Sequence, residues 1–384
     1  MTRLESTTPP PLPRSANHTR AKRGEGNAAA THATAPRSDI EDGYVDPRYP
    51  DVRPSKDWTR AQKFRDGSPQ AEAIRHQKWA NEHAAIQRKV GEKVGKIMRG
   101  QHAEPIGDVK VKLEVLPDIP AFARHGIFKP GATYEGYGRF SNAPGAPQPL
   151  RVATSRGLAV SLTGPHGTQQ DFLAVTLNGF FRDPADVMAV VRAQAVASRL
   201  PRKLRPATTV AIASLMMGPK RAAETLGNLR KMIAREPKSL ATETYFSNMP
   251  IRVGPYAAKY AWLPMKAAEA PKGELDADLK ARLESSDTVF ELQLQFYENE
   301  STTPLEDMRL PWKVPFVPVA RLTIPKQELD SAEGQARQAD IEGGSFTPWH
   351  TAEHEPVGEV GRARKAIYAT SAKTRGACPF KGLV

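Results

Sequence analysis

An arginine and a tyrosine near the C-terminal end of the chain have types and a spacing that could do chemistry together. Arg364 and Tyr368 are four residues apart, so on a helix they would lie on one face, one above the other. A guanidinium beside a phenol favours the phenolate because opposite charges attract, and a phenolate is a hard anionic ligand for a metal ion. The spacing alone favours a plain amphipathic helix with an exposed arginine and a core tyrosine.

A histidine in a loop is the second candidate for chemistry. Apolar residues recur at helical intervals over residues 72–90, without proline or glycine, which predicts a long helix that continues to Met98. Residues 107–115 alternate apolar and polar side chains, which predicts a half-buried strand. His102 lies between the two, where a lone histidine is most often an ordinary loop residue.

Further strand and helix patterns must supply the scaffold. Strands are predicted over residues 134–140, 157–162, 290–296 and 317–324. Between the second and third of these, apolar stripes predict helices over residues 184–200 and 207–235. The methionine-containing stripe of the second helical region favours a core role over a substrate channel.

Several segments, in the correct order between about residues 95 and 375, resemble catalase-related haem proteins, the shorter relatives of haem catalases. They are an Arg-x-x-His-Ala-x-x-x-Gly pattern at residues 99–107, Arg-Phe-Ser-Asn at 139–142, and the segments 155–160, 243–256, 345–350 and 362–371. The resemblance implies an α+β fold, a catalase-like antiparallel β-barrel with flanking and inserted helices. We expect this haem domain to occupy residues 61–384.

The resemblance also implies a cofactor and its proximal ligand. The cofactor would be haem b, with Tyr368 as the ligand of the iron and Arg364 as the residue that stabilises its phenolate. Arg99 and Arg139 would contact the haem propionates.

On the distal side, the resemblance assigns acid–base catalysis to His102. Ser141 would accept a hydrogen bond from one ring nitrogen, which fixes the tautomer and leaves the other nitrogen free as a base. A phenolate ligand favours cleavage of the O–O bond, and His102 would move the peroxide proton. The expected activity is therefore that of a haem catalase or peroxidase acting on hydrogen peroxide or on an organic or lipid hydroperoxide.

The chain departs from the family pattern at two places beside this distal histidine. The family has an asparagine four residues before a Phe-Phe pair, but here Thr176 holds that position and Asn178 comes two residues later. Either residue is a candidate for the distal role. Gln101 replaces the apolar valine of true catalases, and a polar residue there is similar to the branch that rearranges fatty-acid hydroperoxides. A hydroperoxide lyase or allene oxide synthase-like enzyme, or a haem-binding protein with little turnover, stays an alternative.

Composition limits the classes of partner. The chain has 55 Lys and Arg against 42 Asp and Glu, a net charge of +13, yet no zinc-finger, ribonucleoprotein or helix-turn-helix pattern, so no specific nucleic-acid partner is expected. Peripheral contact with an anionic membrane is compatible with this charge. No apolar run approaches the ~20 residues of a membrane span, and no secretory signal is recognisable. The single cysteine, Cys378, excludes an intramolecular disulfide and fits a cytoplasmic protein.

The first 60 residues are rich in proline, alanine and basic residues, and almost no apolar residue recurs periodically there. This composition predicts a disordered tail. A homo-oligomer is compatible with the sequence but is not implied by the tail.

Overall fold

The computed structural model describes residues 45–150, 154–164, 167, 169–176, 179, 181–197, 199–233, 237–266, 271, 273–351 and 353–377. The described residues belong to one compact unit. Of the predicted tail, residues 45–60 are described, and they are attached to this unit. The backbone N–H of Ser55 donates to the carbonyl of Tyr297 at 2.8 Å, and the Trp58 indole donates to the carbonyl of Pro255 at 2.8 Å. Structured chain therefore extends to the N-terminal side of the boundary expected at residue 60.

Antiparallel strands form the centre of the molecule. In chain order they are β1 (Glu104–Val115), β2 (Thr133–Asn142), β3 (Arg156–Thr163), β4 (Gln169–Val175), β5 (Tyr245–Phe246), β6 (Ile251–Val253), β7 (Tyr256–Pro264), β8 (Thr288–Phe296) and β9 (Val317–Ile324). Their order in the sheet is β5-β4-β3-β2-β1-β9-β8-β7-β6, and β5 also pairs with β7. The second pairing closes a ring of eight described strands, with β6 as a hairpin partner of β7 outside the ring. The antiparallel barrel expected from the sequence is confirmed.

The alternation that predicted β1 is present in its burial, with one exception. Val109, Val111 and Leu113 are buried while Lys110 and Lys112 are exposed. Asp108 lies on the same side of the strand as Lys110 and Lys112, but it is only 4% exposed. A later helix, α7 (Ala332–Gly343), covers this end of the strand, and the Arg337 guanidinium on it donates to the carbonyl of Asp108 at 3.0 Å.

Helices surround and interrupt the barrel. They are α1 (Trp58–Ala61), α2 (Pro69–Val94), α3 (Pro184–Ala197), α4 (Arg205–Met217), α5 (Pro219–Ile233), α6 (Leu275–Ser285), α7 (Ala332–Gly343) and α8 (Gly358–Thr374). The long helix α2 starts where the Ser68 side chain accepts from the N–H of Ala71, a typical N-cap. It ends at Gly95, whose φ of 78° a residue with a side chain rarely adopts, so the helix stops four residues before the predicted end at Met98.

The helical region predicted over residues 207–235 is two helices. Gly218, with a φ of 84°, and Pro219 separate α4 from α5, because neither residue continues a helix well. Within the part of the chain that the structure describes, no helix combines the length and the apolar character that a membrane span requires.

The last helix, α8, packs lengthwise against α2. Arg362 of α8 binds the carboxylate of Glu72 on α2 at 2.6 Å, and Arg75 of α2 binds Glu359 of α8 at 2.6 Å. Both carboxylates are buried, so each ion pair compensates the cost of removing a charge from water. The two pairs fix the position of α8 along α2, and with it the position of Arg364 and Tyr368.

Candidate functional site

A cavity of about 510 Å³ lies between strands β2, β3 and β4 of the barrel and the helices α2, α3, α4 and α8. Its size is that of a site for a small molecule or a cofactor. Most of its wall is apolar, for example at Leu158, Val175, Val191, Val360 and Ile367. The polar residues predicted for chemistry enter it from three directions.

On the α8 side the cavity is lined by Arg364 and Tyr368. One guanidinium nitrogen, Nη2 of Arg364, donates to the Tyr368 hydroxyl oxygen at 2.9 Å, and its Cζ lies 5.1 Å from the centre of the tyrosine ring. The other terminal nitrogen contacts Sδ of the buried Met249 at 3.6 Å. The i, i+4 arrangement expected from the spacing is therefore present, with both side chains on the cavity.

On the barrel side the cavity is lined by His102 and Ser141, whose Nδ1 and Oγ atoms are 3.0 Å apart. His102 lies in the loop before β1 and Ser141 near the end of β2, so the pair is formed by the β1–β2 register. If Nδ1 carries the hydrogen and Ser141 accepts it, Nε2 is the nitrogen with a free lone pair.

The backbone of His102 is held in an uncommon conformation. Its φ is 52°, a value that no other non-glycine residue among those described adopts in the positive region. Its N–H donates to the carbonyl of Ala143 at 2.8 Å, and its carbonyl accepts from the Arg139 guanidinium at 2.9 Å. Strained backbone of this kind is concentrated at functional sites, where the surroundings hold it in place.

Gly157 on β3 makes room for the imidazole. A Cβ at this position would lie 2.7 Å from Cε1 and Nδ1 of His102 and 2.8 Å from Oγ of Ser141. Burial lowers the pKa of His102 to about 3, and the cations Arg139 and Arg364 act in the same direction. The imidazole is therefore neutral at physiological pH, as a proton acceptor must be.

A cluster of arginines forms one edge of the cavity. Arg99, Arg139 and Arg375 all line it, and they converge on the C-terminal end of α7. Arg139 donates to the carboxylate of Glu342 at 2.5 Å, and Arg99 lies 3.7 Å from the same carboxylate. Arg99 and Arg375 each donate to the carbonyl of Gly344, at 3.3 and 2.5 Å.

This arginine cluster carries more positive than negative charge. Burial and the neighbouring Arg139 cation lower the pKa of Arg99 to about 9, and burial also lowers the pKa of Arg375. Burial opposes ionisation of Glu342, but the adjacent arginines outweigh it and keep the pKa of that carboxyl below its usual value. The carboxylate of Glu342 and, 4.0 Å from Arg139, that of Asp108 face three guanidinium groups, so this edge can accept further negative charge.

Of the two candidates for the distal amide position, the structure describes only Thr176. The Thr176 hydroxyl accepts from the backbone N–H of Arg156 at 3.1 Å, and this residue is not among the described residues that line the cavity. Asn178 lies outside the described residues, as does Cys378. An amide that does line the cavity belongs to Asn248, in the loop after β5.

Sequence reasoning missed three residues of this site. Arg375 follows Tyr368 by seven residues, two turns along α8, and that spacing was the signal for it. Gly157, interpreted only as part of a strand, could have been noticed because a glycine inside a strand often marks a close approach. Nothing in the sequence marked Glu342.

Comparison with known proteins identifies the fold. No protein-family model matches the chain, and no curated protein does. Among solved structures, a bacterial catalase is similar with a TM-score of 0.57 and 16% identity over 74% of this chain and 59% of that chain. A fungal catalase is similar with a TM-score of 0.53 and 15% identity over 74% of this chain and 61% of that chain. The fold is catalase-like, as the sequence indicated, and the chain spans about three-fifths of the length of these catalases.

The residues that line the cavity fit a haem group. The apolar walls suit a porphyrin, a phenol and an imidazole enter the cavity from α8 and from the barrel, and a cationic cluster at one edge suits two carboxylates. The fit rests on this donor set and is independent of the comparisons.

Proposed function

We propose that the protein is a haem-dependent oxidoreductase that acts on peroxides, with haem b bound in the cavity. The observation that carries the proposal is the presence, in one cavity, of two hydrogen-bonded pairs, Arg364–Tyr368 and His102–Ser141. The similarity to a bacterial and a fungal catalase supports the same class of chemistry.

The phenolate oxygen of Tyr368 would bind the iron. The Arg364 guanidinium holds this oxygen in place and balances its charge, since its Nη2 donates along the same 2.9 Å contact. When bound, the haem supplies the redox centre at which a peroxide O–O bond is cleaved.

The arginine cluster of Arg99, Arg139 and Arg375 would bind the two propionates. An incoming carboxylate has to compete with Glu342, which already occupies Arg139 at 2.5 Å. The three guanidinium groups carry more N–H donors than Glu342 and the nearby carbonyls accept, so we expect binding to need a rearrangement of Glu342 rather than of the barrel.

His102 would move the proton of the substrate. Its neutral imidazole accepts the peroxide proton at Nε2 and returns it to the leaving oxygen, as a general base and then a general acid. Ser141 keeps the ring oriented through Nδ1. Gly157 permits the ring to occupy this place at all.

The substrate is either hydrogen peroxide or an organic hydroperoxide. Gln101, a polar residue that lines the cavity beside His102, supports the second class and a rearranging activity on lipid hydroperoxides.

Two measurements test the proposal. Titration of the full chain with haemin should give one-to-one binding with the absorption spectrum of a tyrosinate-ligated ferric haem, and Tyr368→Phe should lose that spectrum. Rapid oxygen release from hydrogen peroxide would then indicate catalase activity. Slow release together with consumption of a fatty-acid hydroperoxide would indicate the rearranging class. Haem binding without reaction of either substrate would leave a haem-binding protein with little turnover, and unchanged haem spectra in Tyr368→Phe would refute the proximal assignment.

A further inference from the structure

The helix α4 has an unusual distribution of apolar residues, because they lie on both of its sides. Its inner side contributes Val210, Ala213 and Met217 to the wall of the cavity. Its outer side carries Ala207, Ala211 and Leu215, with Leu204 just before the helix and Met216 beside them. The outer residues follow one another at intervals of three or four, so they form one stripe.

The outer stripe is exposed. Leu215 is 87% exposed, a value that a leucine on a folded helix seldom reaches, and Leu204 is 54% and Met216 48% exposed. With Val196 on α3, they make four of the eleven exposed large apolar residues among the described residues, within 21 positions of the chain. Exposed apolar residues clustered in this way indicate a surface that binds another protein or a membrane.

The charges of the chain segment that carries the stripe are of one sign. From residue 187 to residue 223 the chain has seven lysines and arginines and no acidic residue. Two of them, Arg192 and Arg221, are paired with carboxylates of other segments. Arg199, Lys203, Arg205 and Lys220 are exposed next to the stripe.

An exposed apolar stripe with a border of cations matches the interface of a bilayer that contains anionic lipids. The apolar side chains enter the acyl boundary and the cations contact phosphate groups. If a second copy of the chain docked here through the same face, the cations of its residues 187–223 would meet those of the first copy. That segment has no acidic residue to complement them.

We propose that the outer face of α4, defined by Leu204, Leu215 and Met216 with Lys203 and Lys220, docks on the surface of an anionic lipid bilayer. The inner face of the same helix lines the cavity, so docking places the cavity against the source of amphiphilic molecules. It follows that the substrate is a lipid hydroperoxide taken from the bilayer, and this last step rests on the proposed peroxide chemistry, whereas docking does not.

Docking is tested by sedimentation of the full chain with vesicles of phosphatidylcholine, alone or with phosphatidylserine. Binding should require phosphatidylserine and should fall roughly tenfold or more in Leu215→Glu/Met216→Glu. The matched control is Ile74→Glu/Val94→Glu, which places the same charge on two exposed apolar residues of α2 and should bind as the parent does. A second variant, Lys203→Glu/Lys220→Glu, leaves the stripe intact and should also weaken binding.

Several outcomes would overturn docking. They are absence of binding to phosphatidylserine vesicles, equal binding by the stripe variant, and a dimer in solution that Leu215→Glu/Met216→Glu dissociates.

Substrate supply is tested separately with the haem-loaded protein. The stripe variant should react with hydrogen peroxide as the parent does and should react several-fold more slowly with a lipid hydroperoxide embedded in vesicles. Equal rates with the embedded substrate would refute supply from the bilayer, and no reaction of the parent with either peroxide would refute the peroxide chemistry while the sedimentation result stands.

Discussion

The two sides of the cavity are built in opposite ways. On the α8 side, Arg364 and Tyr368 lie on one regular helix and meet through the ordinary i, i+4 geometry. On the barrel side, His102 reaches Ser141 only through the register of two strands, and its own backbone has a positive φ. The first pair is local and relaxed, whereas the second depends on distant parts of the chain.

The difference shows which substitutions can impair the site without changing a reactive side chain. The helical pair needs only that α8 stays folded against α2. The barrel pair needs Arg139 at the carbonyl of His102, Ala143 at its N–H and the absence of a side chain at residue 157. Substitutions at these supporting positions should therefore reach the distal side and leave the proximal side intact.

The largest effect is expected for His102→Ala. It removes the proton acceptor and should lower the rate of the peroxide reaction by roughly 10²–10⁴-fold. Haem binding and the spectrum due to Tyr368 should be retained, because the helical pair is untouched. Stopped-flow mixing with peroxide measures the rate, and an undiminished rate would exclude His102 as the distal base.

Gly157→Ala should have the next largest effect. The new Cβ would lie 2.7 Å from the His102 ring, so either the ring or β3 must shift, at a cost of about 1–3 kcal/mol. Peroxide reactivity should fall while the Tyr368 spectrum stays unchanged. Gly227→Ala on α5 is the matched control, since a Cβ there meets nothing within 4 Å. Equal activity of the two variants would show that the barrel side tolerates more than its packing indicates.

Asp108→Asn tests the electrostatics behind the barrel pair. Neither carboxylate oxygen of Asp108 has a hydrogen-bond partner among the described residues, and burial raises its pKa to about 7. Between its ordinary pKa and about 7, the folded chain holds a proton that the unfolded chain lacks, so stability falls as the pH rises through this range.

The variant lacks this titration. Its stability advantage over the parent should grow from about pH 5 to about pH 8. Over this range the difference in the free energy of unfolding should grow by at least about 1.4 kcal/mol, the equivalent of one pKa unit. Thermal unfolding of the haem-free chain measures it, with the exposed Asp51→Asn as control. A constant difference across the range would show that Asp108 is ionised throughout.

The smallest effect concerns pH and activity. With the pKa of His102 near 3, its imidazole needs no deprotonation before it accepts the peroxide proton. The rate of the peroxide step should therefore change by less than about twofold between about pH 5 and about pH 8. A fall in the rate at acidic pH, with its midpoint near the ordinary pKa of histidine, would contradict this prediction. It would mean that water reaches the imidazole ring and that burial no longer lowers its pKa.

The comparison of the two sides also explains what could be predicted from the sequence. The strand alternation around β1 and β8 and the spacing of Arg364 and Tyr368 are local patterns, so they predicted individual strands and a shared helix face directly, whereas the barrel was implied by the family resemblance. The pairing of His102 with Ser141 depends on strand register, and only the family resemblance indicated it.

The remaining residues were hidden for physical reasons. Glu342 belongs to the site because α7 ends beside Arg139, a tertiary placement that no local pattern reveals. The hydroxyl of Thr176 was a candidate by counting, but it accepts from the backbone N–H of Arg156 where β3 begins and β4 ends. The division between α4 and α5 was visible at Gly218 and Pro219, and the long apolar stripe concealed it.

The closing strand of the barrel has a consequence for how a large, flat molecule reaches the cavity. The two-residue strand β5 joins β4 through the single pair Val175 and Phe246, and β7 through two pairs. Val175 also lines the cavity. A ring closed by so few backbone bonds can open at that point by local unfolding. This opening costs a small part of the free energy of global unfolding. If haem binds as proposed, we expect it to enter through this closure while the other strands stay paired, so that cofactor exchange and unfolding of the barrel are separate events.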